Sequence, residues 1–494
     1  MNFHSTRDKS KTKYSSAEVI KQGLASDGGL FVPEEIPQLT LDEISSFCSL
    51  SYPELAATVL SKFLTDYTYA ELLEDANAAY STIKFDGDAC PLMQVDANTY
   101  SIELWHGPTC AFKDMALQIM PRLLSRALGK TGEKRDALVL VATSGDTGKA
   151  ALEGYKNIDR IKIAVFFPEN GVSSVQKLQM TTQDGNNVNV CAVKGNFDDI
   201  QSGVKKIFND EKIAHDLDSR GIFLSSANSI NFGRLAPQIV YYIKAYCDLL
   251  DSNKIKLGDK INVCVPTGNF GNILAAYIAK LMGLPIAKLI CASNSNNVLT
   301  DFFNAGKYDR NRHFHLTTSP SMDILISSNL ERLLYLIAGV EKTAEWMNSL
   351  NTCGHYQIDA ETKKMIDKDF VGFYADEVQT SQTIKENFEN NQYLMDTHTA
   401  VAFSALECYR ETSKDETPTI VASTASPFKF AKDVYDSIWE KESITDLQAL
   451  NLLAQKSGAL IPMPLSNLES KKVNFNSSVS PSQMYDEILN FLQE

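Results

Sequence analysis

The feature that most constrains the fold is an alternation of short apolar strands with helices, which begins near residue 136. Residues 137–142 (ALVLVA) form a continuous apolar run, and a turn rich in Ser, Gly and Thr leads from it into a helical pattern at 149–155. The same order recurs after residues 161–167 and 188–193. Such alternation is typical of parallel sheets covered by helices. We therefore predict an α/β fold with open parallel sheets.

The rest of the chain differs in texture. Another strand–turn–helix unit occupies residues 261–281, and further strands are predicted at 287–292 and 419–423. Residues 1–88 carry amphipathic helical patterns instead, and residues 340–395 have a polar, helical pattern. At about 150 residues per domain, the 494 residues correspond to two to four domains.

Charge and cysteine usage narrow the functional class. The chain has 61 acidic and 47 basic side chains, for a formal charge of −14, which disfavours binding to nucleic acid or to an anionic membrane. The polar, charged N-terminus shows no apolar core of a signal peptide, and no uninterrupted apolar run approaches the roughly 18 residues of a membrane span. The nine cysteines are scattered singly, which favours free thiols in a reducing cytoplasm over disulfides or a zinc site.

Two glycine-bearing turns each join a predicted strand to a predicted helix. The turn at 268–272 (GNFGN) would present free N–H groups and the positive end of a helix dipole to an anion such as phosphate. The turn at 144–149 (SGDTGK) is too short for a Walker motif and would suit a carboxylate or a phosphate. Each turn alone is also typical of an ordinary strand-to-helix connection.

A lysine in an unusual loop is the candidate reactive group. Lys113 follows Gly107 and Pro108, and Asp114 is placed to cap a helix. A lysine amine partly removed from water has a lowered pKa and can form a Schiff base. Most lysines are instead solvated at the surface, so this segment alone leaves both interpretations open.

Three other polar segments are candidates with the same ambiguity. Residues 225–234 contain several hydroxyl and amide side chains and one arginine. This composition is consistent with a binding site for a second phosphate or with an ordinary polar loop. Residues 423–427 end a strand where ligands of open sheets bind. His398, one turn into a helix with Asp396 at its cap, is equally consistent with a structural cap and a catalytic role. No histidine spacing indicates a metal site.

Taken together and in this order, these segments resemble threonine synthase of the longer bacterial and fungal type. The resemblance covers nearly the whole chain and is carried by residues 5–7 (STR), 22–33 (QGLASDGGLFVP), 112–114 (FKD), 143–148 (TSGDTG), 228–234 (NSINFGR) and 267–272 (TGNFGN). It implies the tryptophan-synthase-β fold (pyridoxal-phosphate fold type II), with two open α/β domains and an N-terminal helical domain. We place the helical domain at 1–88, the large cofactor-binding domain at 89–135 and 236–494, and the small domain at 136–235.

The resemblance also implies pyridoxal 5′-phosphate as cofactor and assigns roles to residues. Lys113 is similar to the lysine that binds the cofactor as a Schiff base and acts in catalysis. By this resemblance, the loop that binds the cofactor phosphate consists of Gly268, Asn269, Phe270, Gly271 and Asn272. Thr424 is similar to the residue that is the partner of the pyridine nitrogen. The substrate carboxylate and the cofactor ring would contact Ser144, Asp146 and Thr147. The substrate phosphate would contact Ser229 and Arg234. No metal is implied.

The activity implied is a carbon–oxygen lyase reaction that converts O-phospho-L-homoserine and water into L-threonine and phosphate by γ-elimination and β-addition of water. Lys113 would move protons at Cα, Cβ and Cγ. The alternatives are a phospho-lyase that gives 2-oxobutyrate, a hydroxy-amino-acid dehydratase, or a silent cofactor carrier. A monomer or small homo-oligomer is expected.

Two segments depart from the family pattern. Residues 396–400 read DTHTA where DPHTA is usual, and residues 424–430 read TASPFKF where TAHPAKF is usual. The local structure at Ser426 and Phe428 is therefore expected to differ from that of the family.

Overall fold

The computed structural model describes residues 1–143 and 145–493. Its strands, numbered in chain order, are β1 (Phe3–Ser5), β2 (Phe31–Pro33), β3 (Leu92–Gln94), β4 (Thr99–Glu103), β5 (Asp136–Ala142), β6 (Ile161–Pro168), β7 (Val188–Val193), β8 (Ile222–Ser226), β9 (Ile261–Pro266), β10 (Ile286–Ser293), β11 (Lys307–Asp309), β12 (His355–Gln357), β13 (Phe370–Tyr374), β14 (Thr419–Ser423) and β15 (Ser478–Val479).

Its helices are α1 (Ser16–Gln22), α2 (Leu41–Phe47), α3 (Tyr52–Phe63), α4 (Tyr69–Ala79), α5 (Asp114–Leu117), α6 (Met120–Lys130), α7 (Asp146–Tyr155), α8 (Ser174–Thr181), α9 (Phe197–Asn209), α10 (Glu211–Ser219), α11 (Phe232–Leu235), α12 (Pro237–Asp251), α13 (Gly271–Met282), α14 (Val298–Ala305), α15 (Leu330–Cys353), α16 (Ala360–Asp369), α17 (Glu377–Asn391), α18 (Thr397–Ser413), α19 (Ala431–Ile438), α20 (Asp446–Ser457) and α21 (Met484–Gln493).

The larger sheet has six strands in the order β13-β10-β9-β14-β4-β3. They run parallel except for β3, which pairs antiparallel with β4. Strand β14 lies between β9 and β4, with Ser423 opposite Glu103 and Val421 opposite Cys264. The carboxyl ends of these three strands therefore meet at one edge, where ligands bind in open α/β sheets.

The smaller sheet has five parallel strands in the order β15-β7-β6-β5-β8. Three of its strands begin and end within one residue of the predicted bounds, because buried parallel strands are continuous apolar runs. The predicted α/β fold with open parallel sheets is confirmed.

One segment differs from its prediction. Residues 340–395, predicted as helical, also contain β12 and the edge strand β13. Strand β13 (FVGFY) pairs in parallel with β10, and its Gly372 lies so close to Thr300 and Phe303 that an added Cβ would crowd both. The sequence pattern did not predict β13, because this run of five residues is short and is flanked by the polar helices α16 and α17.

The C-terminal residues pack on the smaller sheet. Strand β15 pairs with β7, and Met484, Ile488 and Phe491 of α21 share a buried cluster with Leu138 of β5. The predicted domain boundaries stay a prediction, and we propose to move residues 478–493 into the small domain.

Helices α1–α4 form the N-terminal part together with the antiparallel β1–β2 pair. Each of these four helices begins with a capping box, in which a Ser or Thr side chain and a Glu three residues later satisfy backbone N–H groups. Helix α3 packs on α12 and α1 on α6, and one buried apolar cluster continues from here into both sheets. None of the helices in the described part of the chain is long and apolar enough to span a bilayer.

Candidate active site

Lys113 lies in the connection from β4 to α5, at the edge where the three strand ends meet. The N–H of Phe112 donates to the carbonyl of Thr424 at 2.8 Å, which ties this connection to the end of β14. Cys110 has a left-handed backbone with φ of 58°, a conformation that a non-glycine residue keeps only when its surroundings enforce it. This backbone places Lys113 inside the protein, where 8% of its surface is exposed.

The Lys113 amine faces a carboxylate and a hydroxyl. Its Nζ lies 3.5 Å from Asp146 Oδ2 and donates a hydrogen bond to Ser321 Oγ at 3.1 Å. Burial lowers the pKa of Lys113, and the carboxylate of Asp146 opposes that shift. The positive charges of Lys429 and Arg234 lower the pKa further. An amine of lowered pKa is more nucleophilic near neutral pH than a solvated lysine.

Asp146 is shared by two lysines. Lys429 is buried, with its Nζ 2.7 Å from Asp146 Oδ1 and 2.9 Å from the carbonyl of Thr109. Gln176 Nε2 donates to the same Oδ1 at 3.0 Å. Burial opposes ionisation of Asp146, but the charges of Lys429 and Lys113 outweigh it and hold the pKa of this carboxyl well below its usual range. Asp146 is therefore ionised, and only its backbone N–H can donate to a substrate carboxylate.

The loop after β9 carries a row of unused donors. Among residues 1–143 and 145–493, no acceptor lies opposite the backbone N–H groups of residues 268–273. Phe270, with φ of 64°, starts α13 without a side-chain cap, and the helix start adds its positive dipole end. The buried Asn272 Nδ2 also lacks a partner in the described chain, while its Oδ1 accepts from Tyr241 and Tyr242. This donor set suits a phosphate group.

The carbonyl side of the same loop is held by the segment that precedes α15. Ser327 Oγ donates to the carbonyl of Gly268 at 2.7 Å, and the N–H and Nδ2 of Asn329 donate to the carbonyl of Asn269 at 3.1 and 2.9 Å. A Cβ on Gly268 would lie 2.9 Å from the carbonyl oxygen of Ser321. The carbonyls of Gly268 and Asn269 are thus engaged, while the loop N–H groups have no acceptor in the described part of the chain, and only glycine fits at position 268.

The turn that was predicted to hold the substrate carboxylate begins α7. Ser144 lies outside the described residues. The N–H groups of Asp146 and Thr147 have no acceptor in the described chain, and Thr147 is half-buried. Gly145 has φ of 149°, and a Cβ there would come within 2.5 Å of Gln176 Nε2. A free helix start of this kind suits an anion.

Thr424 and the residues after it close the site from β14. Thr424 is 6% exposed, beside the backbone that carries Lys113. Ser426, where the resemblance has histidine, donates its N–H to the carbonyl of Cys110 at 3.1 Å, and its Oγ accepts from the N–H of Phe428 at 3.3 Å. Ser426 thus caps the short 3-10 helix Pro427–Phe430.

Arg234 on α11 is a buried guanidinium, 4% exposed. Its Nη1 donates to the carbonyl of Ala227 at 2.8 Å, and its Nε has no partner in the described chain, where no acidic side chain pairs with it either. Burial lowers the pKa of Arg234 to about 10, so it is protonated at neutral pH. A buried charge is costly unless an anion pairs with it. Ser229, its predicted companion, is half-buried and donates to Asn228 Oδ1 at 3.4 Å.

A second buried arginine, Arg332 at the start of α15, ties the surrounding segments together. Its Nε donates to the carbonyl of Phe31 at 2.9 Å, its Nη1 to Asn329 Oδ1 at 2.5 Å and its Nη2 to the carbonyl of Ile230 at 2.6 Å. Asn329 holds the loop at 268–272, and Ile230 precedes α11. The N-terminal part is thereby linked to the loop at 268–272 and to the segment that precedes α11.

The N-terminal motif at residues 5–7 (STR) contacts the carboxylate of Glu331 at the start of α15. Arg7 donates from Nε and Nη2 to this carboxylate at 2.8 and 2.7 Å, and Thr6 Oγ1 donates at 2.6 Å. We expect Arg7→Ala to lower the free energy of unfolding by about 1–3 kcal/mol in urea, because it leaves a buried carboxylate short of donors. Lys13→Ala, which breaks the exposed pair with Glu34, should cost about 0.5 kcal/mol or less. Equal losses in the two variants would contradict this role of Arg7.

Sequence reasoning missed several residues of the site. Ser321, Asn329 and Arg332 lie in segments without a recognisable motif. Lys429 lies within residues 424–430, but its burial against Asp146 could not be read from that pattern. His398, for which the sequence allows both a structural cap and a catalytic role, is buried, and its Nε2 accepts the N–H of Ser321. No group of three or more potential metal ligands occurs in the described part of the chain.

Comparison with known proteins gives consistent matches. The family models of the threonine synthase N terminus, of pyridoxal-phosphate dependent enzymes and of the threonine synthase C-terminal region match residues 2–80, 100–424 and 399–472. Threonine synthase of Pseudomonas aeruginosa is 39% identical over 91% of this chain and 92% of its own length. Human threonine synthase-like 1 is 41% identical over 92% of this chain, which spans 62% of that longer protein.

Two solved structures share the whole architecture. The crystal structure of PLP-bound threonine synthase from Brucella melitensis has a TM-score of 0.88 at 35% identity, and that of threonine synthase from yeast has a TM-score of 0.90 at 34% identity. Each alignment covers 100% of this chain and 99% of the other. The fold type predicted from the sequence is confirmed.

Proposed function

Because the chain belongs to the threonine synthase family of pyridoxal-phosphate-dependent enzymes, we propose that it converts O-phospho-L-homoserine and water into L-threonine and phosphate. One observation carries the proposal: the buried amine of Lys113 lies near two candidate anion sites. Its hydrogen-bond partner Ser321 packs against Gly268, in the loop whose N–H groups have no acceptor in the described chain, and the charge of buried Arg234 lowers the pKa of the amine. A phosphorylated cofactor and a phosphorylated substrate together require two such sites.

The residues present fit pyridoxal phosphate. Lys113 would offer an amine to the aldehyde of the cofactor, and residues 268–272 would offer N–H donors to its phosphate. Asn272 Nδ2, which has no partner among the described residues, is an additional donor. We propose that Thr424 would offer its hydroxyl as the partner of the pyridine nitrogen, and this partner would leave the ring less positive than a carboxylate would. When bound, the cofactor supplies an electron sink for charge that develops on carbon.

Lys113 is proposed to move protons at Cα, Cβ and Cγ of the substrate in sequence. The lowered pKa suits this task, because the amine can accept a proton and return it near neutral pH. Ionised Asp146, held by Lys429, keeps a negative charge beside the amine in each of these steps. Water adds at Cβ after the phosphate has left.

The substrate is proposed to be held at its two ends. Ser229 and Arg234 bind the γ-phosphate and stabilise its negative charge as it leaves. The N–H groups of Asp146 and Thr147, with Ser144, bind the carboxylate. The distance between these ends would fix the substrate carbons near Lys113.

Products distinguish the alternatives. A dehydratase takes a substrate without phosphate, so a buried Arg234 without an acidic partner in the described chain disfavours it. A phospho-lyase would use the same contacts but release 2-oxobutyrate. Incubation with O-phosphohomoserine should give equal amounts of threonine and phosphate. Phosphate accompanied by 2-oxobutyrate would overturn the proposal.

Gly268→Ala should weaken cofactor retention at least about tenfold, because the added Cβ would press on a backbone carbonyl 2.9 Å away and distort the N–H row. The cofactor dissociation constant, measured by the visible absorbance of dialysed protein, tests this. Gly129→Ala in α6 is the matched control, since no atom lies within 4 Å of its added Cβ. Equal retention in the two variants would assign the loop at 268–272 to structure alone.

We further propose a cytoplasmic location and a monomer or small homo-oligomer. All nine cysteines are described, and all are free thiols, which supports a reducing compartment. Sedimentation equilibrium of the purified protein tests the assembly state.

A further inference from the structure

A hydroxyl contacts the Lys113 amine, and the function proposed above does not use it. Ser321 Oγ accepts a hydrogen bond from Lys113 Nζ at 3.1 Å. Ser321 lies in the short 3-10 helix Pro320–Met322, far from Lys113 in the sequence. Its carbonyl oxygen is also the atom that leaves no room for a Cβ on Gly268. One residue therefore borders both the reactive amine and the loop of free N–H groups.

The start of α18 holds this segment at two points. His398 Nε2 accepts the N–H of Ser321 at 3.1 Å, and its Nδ1 lies 2.7 Å from Asp396 Oδ2. Because Nε2 accepts a backbone N–H, His398 is neutral and carries its proton on Nδ1, where Asp396 accepts it. Thr397 Oγ1 donates to the carbonyl of Thr318 at 2.7 Å. The histidine and both of its neighbours are buried.

The second of these contacts depends on the hydroxyl of Thr397. Thr397 stands where the family pattern DPHTA has proline, and a proline side chain has no hydroxyl to donate. The departure therefore adds a contact to the segment that carries Ser321.

We propose that the Ser321 hydroxyl is a catalytic group that orients the Lys113 amine. Its positioning residues are His398, with Asp396 behind it, and Thr397. A lysine that serves three substrate carbons in turn must present its N–H bonds and its lone pair in defined directions. A fixed acceptor for one N–H sets those directions and reduces the motion of a long, flexible side chain. This inference rests on the proposed role of Lys113.

Ser321 also differs in kind from the other groups around the amine. The charged groups that act on Lys113 are Asp146 from α7, Lys429 from the 3-10 helix Pro427–Phe430 and Arg234 from α11. Ser321 contributes a neutral acceptor, which favours the protonated nitrogen without adding a charge. Its removal should therefore make the nitrogen lose its proton at lower pH.

The visible absorbance of the holoenzyme reports the proton on the Lys113 nitrogen and can be titrated without substrate. We expect Ser321→Ala to lower the pH midpoint of this titration by about 0.5 to 1 unit, the shift that follows from losing one hydrogen bond to the protonated nitrogen. Ser321→Thr keeps the hydroxyl and should restore the midpoint. His398→Ala should lower it in the same direction, and His398→Gln, whose amide oxygen can accept the N–H, should lower it less.

Ser319→Ala is the matched control. Ser319 is buried in the same segment, and its Oγ contacts Asn294 and Thr317 rather than Lys113. An unchanged midpoint in Ser321→Ala, or an equal shift in Ser319→Ala, would overturn the inference. If His398→Ala does not fold, Thr397→Val tests the positioning of Ser321 instead, again by the pH midpoint of the absorbance titration. An unchanged midpoint in Thr397→Val would overturn the proposed positioning role of the start of α18. A wild-type protein that binds no cofactor would instead refute the proposed role of Lys113.

Discussion

Replacing Lys113 with alanine should abolish threonine formation, with a loss of at least about 10³-fold in kcat/KM. The change removes the cofactor attachment and the proton carrier together, and positioned proton transfer alone contributes about 10²–10⁴-fold. The fold should persist, because Asp146 keeps its pair with Lys429 at 2.7 Å and a costly buried amine is gone. Threonine assay, circular dichroism and thermal melting measure the two effects separately.

Two further variants sharpen this test. Lys113→Arg should also be inactive, because a guanidinium stays protonated and cannot condense with an aldehyde at neutral pH. Lys62→Ala is the matched control: this half-buried lysine of α3 pairs with Glu43 at 3.0 Å and belongs to none of the proposed binding segments. It should keep activity near that of the wild type. Full activity in Lys113→Ala would remove the central assignment of the site.

Arg234→Ala should lower kcat/KM for O-phosphohomoserine by about one to two orders of magnitude. A charge-assisted hydrogen bond to phosphate is worth about 1.5–3 kcal/mol, and each 1.36 kcal/mol is a factor of ten. Slow side reactions with serine or threonine, which carry no phosphate, should change far less. The cofactor absorbance should be nearly unchanged, because the loop at 268–272 is proposed to bind the cofactor phosphate.

The control for this experiment is Arg220→Ala, which removes an exposed arginine paired with Asp216 and should alter none of these quantities. Stability should change little in Arg234→Ala, because the buried charge it removes has no acidic partner in the described chain. Loss of cofactor, or an equal loss of activity with all substrates, would identify Arg234 as structural or cofactor-binding.

Much of the fold could be predicted because buried parallel strands occur in the sequence as continuous apolar runs. The runs at 161–167, 188–193 and 419–423 became β6, β7 and β14 almost to the residue. Strand β4 (TYSIE) was not predicted, since three of its five residues are polar. It is nevertheless buried, because side chains from distant segments contact its polar groups: Tyr393 Oη lies 2.8 Å from Ser101 Oγ and 3.1 Å from Glu103 Oε1, and Arg410 Nη1 donates to Thr99 Oγ1 at 2.8 Å. Its burial comes from neighbours that the local sequence does not contain.

The candidate active site also has a part that the sequence predicts and a part that depends on tertiary structure. By itself the sequence determined the reactive types and their local geometry: the lysine after a strand, and the GNFGN turn whose free N–H groups follow from a glycine-bearing start of a helix. Only the tertiary structure decided what surrounds them. Asp146 and Ser321 meet Lys113 from segments distant in the chain, and Lys429 reaches Asp146 from near its end. Burial, pairing and the resulting pKa depend on which segments pack together, and no local pattern encodes that.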